Sequence, residues 1–123
     1  MKIINTLADL NIPISYKSFI QYFLNKISTA DYIERVVLFG SCAREEVNEQ
    51  KSDIDLLVIT KDEIPLEDEF FIMNDCAPSY GNEHYIPSDI IINSIHHYNK
   101  FKNEFGLLQK QIEHEGIDIS ELL

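Results

Sequence analysis

Glycine is scarce in this chain. Four glycines, at positions 40, 81, 106 and 116, stand among 123 residues, and neither GxGxxG nor GxxxxGK[ST] is present, so the common glycine-rich nucleotide loops are excluded. Cysteine is scarcer: Cys42 and Cys76 form no CxxC and sit in no zinc-like Cys/His spacing, which removes a disulfide scaffold and a zinc ribbon and favours reduced thiols in the cytoplasm. HExxH and internal repeats are missing as well. Basic residues are few, 10 Lys and Arg against 21 Asp and Glu, for a formal net charge of -11. A surface so acidic repels phosphate backbones and makes nucleic acid an unfavourable partner. Long apolar runs are lacking too. Residues 1–16 are interrupted by Asn5, Asp9 and Asn11, unlike the core of a signal peptide, and no stretch approaches the roughly 20 apolar residues of a membrane span. The expectation is a soluble cytoplasmic protein of one domain, residues 1–123, whose 45% apolar content suffices for one modest core.

What is present is organised by periodicity. After a helix start at residues 11–15, Phe19, Ile20, Phe23, Leu24 and Ile27 recur at helical spacing to about residue 28. Residues 35–39 and 54–60 are β-branched and aromatic runs that read as strands. Between them, residues 41–47 carry helix-forming Ala, Arg and Glu, and 48–52 read as a loop. Residues 61–88 form an acidic, turn-rich crossover with a short helix at 66–74, and 87–93 give a third strand. Ile95, Tyr98, Phe101, Phe105, Leu108 and Ile112 lie on one stripe and predict a single long helix over 94–115, closed by Gly116 as its C′ residue and followed by a short tail. The fold class is therefore α/β (α+β), a small mixed sheet of about three strands with helices packed on it.

The chemistry is concentrated in residues 36–60, VVLFGSCAREEVNEQKSDIDLLVIT. Asp53 and Asp55 are two apart at the start of a strand, so they share a face while Ile54 turns into the core. Like charges held so close repel unless a cation lies between them, and Mg²⁺, which takes oxygen ligands and is completed by phosphates, suits the pair. A charged strand start in an acidic protein would look the same. The Leu56, Leu57, Val58 run that follows rules out a calcium loop. Gly40 permits a tight exit from the preceding strand, and Ser41 with the first amides of the predicted helix could receive phosphate, although Ser41 could equally be a helix cap. Arg44 adds a cation one turn later, for a triphosphate or for solvent. Both features belong to one site if the two strands are antiparallel neighbours, and Asp89 joins them if the third strand lies parallel to the second, as the long crossover permits.

FGSCAR, seven residues, then SDIDLLV resembles the signature of the nucleotidyltransferase superfamily that includes DNA polymerase beta and kanamycin nucleotidyltransferase. With its small size and its ending IEHEGIDI, the chain is most similar to the minimal nucleotidyltransferases, small prokaryotic proteins often paired with a helical HEPN-type protein in toxin-antitoxin modules. The resemblance covers most of the chain, and its strong motifs lie between Phe39 and Val58. It implies the nucleotidyltransferase fold, with Gly40, Ser41 and Arg44 on the nucleotide phosphates. It also implies Asp53, Asp55 and Asp89 as catalytic carboxylates and ligands of two Mg²⁺ ions, Asp89 activating or positioning the attacking hydroxyl. The reaction it implies moves AMP from ATP to a hydroxyl acceptor, a tyrosine of the HEPN-type partner. Two positions depart from the pattern: Glu45 stands where many relatives have glycine, and Cys42 where they often have a basic or aromatic residue. Two further readings stay open, a partner-binding module that neutralises a toxin by occlusion and a nucleotidyltransferase for a small acceptor resembling an aminoglycoside. The latter would need a homo-oligomer to complete its acceptor site. His96 and His97 are adjacent on a helix and face different ways, so they are not read as a metal pair, and Phe70 and Phe71 are read as either core or a partner contact.

Overall fold

The computed structural model describes residues 1–123. Helix α1 (Ile14–Ile27) buries Tyr16, Phe19, Ile20, Phe23, Leu24 and Ile27, the stripe that the periodicity predicts. At about 1.5–3 kcal/mol for each fully buried large apolar side chain, that face anchors the helix to the sheet. The strands are β1 (Lys2–Ile3), β2 (Ile33–Phe39), β3 (Ile54–Thr60), β4 (Ser88–Ser94) and β5 (Ile117–Asp118). They form one five-stranded mixed sheet in the order β1-β5-β2-β3-β4. β2 and β3 are antiparallel and β3 and β4 are parallel, and the crossover between the last two carries α2 (Leu66–Phe70) and a π-helical turn (Phe71–Asp75). The sheet is covered on both faces. α1 and the crossover close the larger core over Val36, Leu38, Ile54, Leu56 and Val58, whereas Val37, Phe39, Leu57 and Ile59 face the smaller one with Tyr98 and Ile112.

Three expectations are corrected. The sheet has five strands because the C-terminal residues, read as a tail, insert between β1 and β2: Val37 and Leu38 pair with Asp118 and Ile117, and Lys2 pairs with Ile117 on the other side. Two-residue strands carry almost no local pattern, and only their partners define them. The single helix over 94–115 is two, α3 (Ile95–Phe101) and α4 (Leu108–Glu115). Gly106, at φ +83, turns the backbone between them. A continuous helix would carry Ile112 about 21 Å from Tyr98 along its axis, but the reversal brings both into one core, where the Tyr98 hydroxyl donates to Glu113. Phe105, predicted on the buried stripe, lies at the hairpin tip, 92% exposed. Gly116 is not a left-handed C′ residue, since it has φ -66 and ψ 155. It is small for another reason: a Cβ there would lie 2.5 Å from the Ile112 carbonyl and 2.8 Å from Val37 Cγ1, where the chain turns from α4 into the sheet.

Candidate active site

Register sets Asp55 beside Asp89. Phe39 stands opposite Asp55 across the antiparallel β2–β3 pair, and Asp55 stands opposite Asp89 across the parallel β3–β4 pair. Neighbouring strands are about 4.8 Å apart, so Asp55 is one strand spacing from each. Ile54 is fully buried in the larger core, and alternation turns Asp55 to the opposite face, the one that carries Leu57, while Asp53 stands just before β3. Asp55 is half-buried while Asp53 and Asp89 are exposed. The Asp55 carboxyl is held above its ordinary range, first by burial, then by the charges of Asp89 and Asp53, with Arg44 opposing them. Those causes mark one electrostatic neighbourhood.

Gly40 closes the β2 side of this rim. It takes φ +71, and a Cβ built there would lie 2.1 Å from Asp55 Oδ2. Any side chain at 40 would thus occupy the space the carboxylate now uses. The residues after it correct the predicted helix over 41–47, because the segment makes a single turn. The Arg44 amide donates to the Gly40 carbonyl at 3.1 Å, then the Glu46 amide donates to Ser41 O at 2.9 Å and the Glu45 amide to Cys42 O at 3.3 Å. That pair of bonds is a Schellman closure with Glu45 as its left-handed residue, at φ +58. Burial of the Cys42 side chain pulls the turn onto the core before a second turn can form. The amides of Ser41 and Cys42 have no backbone acceptor, which leaves two N–H groups for an anion.

The positive φ explains why glycine would suit position 45. Glu45→Gly is expected to raise stability by about 0.5–1 kcal/mol, the left-handed cost less the extra unfolded-state entropy of glycine. A melt should show a gain of about 2–5 °C, and no gain would mean that Glu45 is held there by a contact of its own.

Arg44 does not stand free. Its Nε lies 3.3 Å from Glu46 Oε2 and its Nη1 lies 3.4 Å from Glu115 Oε2. Exposed pairs of this kind contribute about 0–1 kcal/mol each, little enough for a phosphate to displace them. Glu115 is a neighbour that sequence reasoning missed, being 71 residues away. Tyr16 is another: its buried phenol donates to the Ser52 carbonyl at 2.7 Å, tying α1 to the residue before Asp53, beside a cavity of about 290 Å³ lined by Tyr16, Lys51, Asp53, Tyr85 and Pro87. No local signal marks either contact. Burial, followed by the charge of Asp55, pushes the Cys42 thiol up to about 11, so Cys42 is a packing residue rather than a thiolate nucleophile. Both cysteines are free and buried.

No three His, Cys, Asp or Glu side chains are gathered closely enough to hold a metal ion between them. The donor chemistry nevertheless suits Mg²⁺, which is commonly bound by one or two carboxylates, with phosphate oxygens and water completing the octahedron. The charges of Asp89 and Asp53, which together with burial raise the Asp55 carboxyl, are of the kind a divalent cation offsets. His96 lies 3.7 Å from Asp62 and the His97 ring packs tilted against Phe101, so the two rings are engaged in different directions.

Residues 20–119 match the family described as nucleotidyltransferase domain. Over 102 residues, 81% of this chain and 94% of the relative, the sequence is 29% identical to a Methanocaldococcus jannaschii protein named as a "putative protein adenylyltransferase". A solved structure from Sulfolobus solfataricus, described as a "putative nucleotidyltransferase", aligns with 75% of this chain and 84% of its own at 23% identity and a TM-score of 0.46. No helix here is long and apolar enough to cross a membrane.

Proposed function

Since the chain belongs to the nucleotidyltransferase domain family, we propose that it transfers AMP from ATP to a hydroxyl group on a protein. The observation that carries this reading is the meeting of Gly40 with the Asp55 carboxylate at a rim where Asp55 also faces Asp89. In this reading the free amides of Ser41 and Cys42, with Arg44 released from its glutamates, hold the triphosphate. Asp53 and Asp55 hold Mg²⁺, and Asp89 orients the acceptor hydroxyl and takes its proton. The acceptor oxygen bonds to the α-phosphorus as the bond to the β-phosphate oxygen breaks, and pyrophosphate leaves. When bound, Mg²⁺ would supply charge neutralisation on the phosphates and would lower the acceptor's pKa. The remaining acceleration comes from positioning. A protein acceptor accords with the name of the Methanocaldococcus relative, and a tyrosine on a HEPN-type toxin partner, with this chain as the cytoplasmic antitoxin, is the specific form of the proposal.

One observation favours a second reading. Arg44 already has two carboxylate partners and three acids do not converge, as would suit a module that neutralises its partner by occlusion alone. The discriminating experiment incubates the protein with α-labelled ATP, Mg²⁺ and the partner. Label on a protein band that vanishes with EDTA is expected. Neutralisation of the partner without any label would reject transfer and leave occlusion.

A further inference from the structure

Two apolar patches take no part in the site and lie on opposite layers of the molecule. On the α1 side, the crossover turns Phe71 and Ile72 toward the larger core and leaves Leu66, Phe70 and Met73 at 62%, 54% and 48% exposure. Their i, i+4, i+7 spacing makes one outward stripe. Asp62, Glu63, Glu67, Asp68, Glu69 and Asp75 flank it in sequence, and no Lys or Arg occurs between 62 and 75. On the other layer, the α3–α4 hairpin presents Phe105 with Leu107 and Leu108, 41% and 38% exposed, at the mouth of a cavity of about 410 Å³ that Lys110 and His114 also line. In a chain this acidic the tip is locally basic. Lys100, Lys102 and Lys110 stand there against a single acid, Glu104, among residues 100–110, and Lys110 Nζ lies 5.2 Å from the Phe105 ring centre.

We propose that the hairpin tip of one copy docks on the acidic Leu66, Phe70, Met73 stripe of a second copy. The sheet lies between the two patches, so they cannot cover each other within one chain. Stripe against stripe would oppose two sets of six acids and tip against tip would oppose lysines, whereas tip on stripe buries both apolar sets and neutralises both charges. The contact is heterologous: the copy that gives its tip keeps a free stripe, the copy that gives its stripe keeps a free tip, and association continues until a ring closes. Neither patch contains Asp53, Asp55 or Asp89, so the proposal stands independently of the catalytic reading.

Sedimentation velocity of the full chain tests it. At about 100 µM the wild type should run above its monomer mass of 14.3 kDa, and raising salt from about 0.05 to 0.5 M should weaken association because the interface is ionic at its rim. Phe105→Ser and Phe70→Ser, both at exposed positions where folding should be little affected, should each run as monomers with unchanged circular dichroism. Mixing the two should restore a dimer, since the intact tip of Phe70→Ser meets the intact stripe of Phe105→Ser. A monomeric wild type, either single variant that still associates, or a mixture that stays monomeric would overturn the proposal. So would a wild type that is monomeric alone and binds a different basic protein through the stripe.

Discussion

Asp55→Asn is expected to lose about a thousandfold or more of Mg²⁺-dependent label transfer and, in metal-free buffer at neutral pH, to melt a few degrees higher than wild type. The first effect follows from removing a carboxylate proposed to hold the metal: several kcal/mol of transition-state stabilisation corresponds to about three powers of ten. The second follows from the raised carboxyl pKa of Asp55. A carboxyl that binds its proton more tightly folded than unfolded makes ionisation destabilising. Stability therefore falls as pH rises from the ordinary value of 3.8 through the raised folded value, and it stays lowered above that. Asparagine cannot ionise, so this part of the pH dependence should flatten in the variant. Mg²⁺ should raise the melting temperature of wild type and do so less in Asp55→Asn. Equal shifts in both, or transfer at the wild-type rate, would remove Asp55 from the proposed metal site.

Gly40→Ala is expected to act on fold and site together, costing about 2–3 kcal/mol, or roughly 10 °C in melting temperature. Part of that cost is backbone, since alanine is strained at φ +71. The remainder is the collision with Asp55, whose Oδ2, Cγ and Cβ would lie 2.1, 3.1 and 3.3 Å from the new methyl. The carboxylate is the movable end of a side chain and can swing away, but swinging takes it from the position proposed for metal binding, so transfer should fall far more than stability. A double-mutant cycle with Asp55→Ala separates the two parts. Once the carboxylate is gone the alanine should cost only the backbone share, giving a coupling of about 1 kcal/mol or more. Additivity within about 0.5 kcal/mol would show that Gly40 and Asp55 do not share the space as described.

Much of the frame was legible because it is local. The α1 stripe, the runs at 35–39 and 54–60 and the third strand carry their own periodicity, which burial of one face enforces wherever the segment lies in the fold. The pairing of β2 with β3 and the parallel placement of β4 followed conditionally, from placing the Gly40 exit and the Asp53–Asp55 entry in one site in the first case and from the long crossover in the second. What failed was non-local. Residues 41–47 are good helix formers, yet the buried Cys42 and the Schellman closure at Glu45 end the helix after one turn. The stripe over 94–115 is real in pattern, yet Gly106 folds it back on itself.

By itself, then, the sequence determined which residues could bear charge at a strand start, which faces must be buried and where a glycine had to exit a strand, because each depends on neighbours a few positions away. Only the tertiary structure decided that Asp55 and Asp89 stand across from each other, that Arg44 is engaged by Glu115, and that residues 117–118 complete the sheet. Those pairings join residues tens of positions apart. Their free energy exists only once the chain has closed, so no window of sequence carries it.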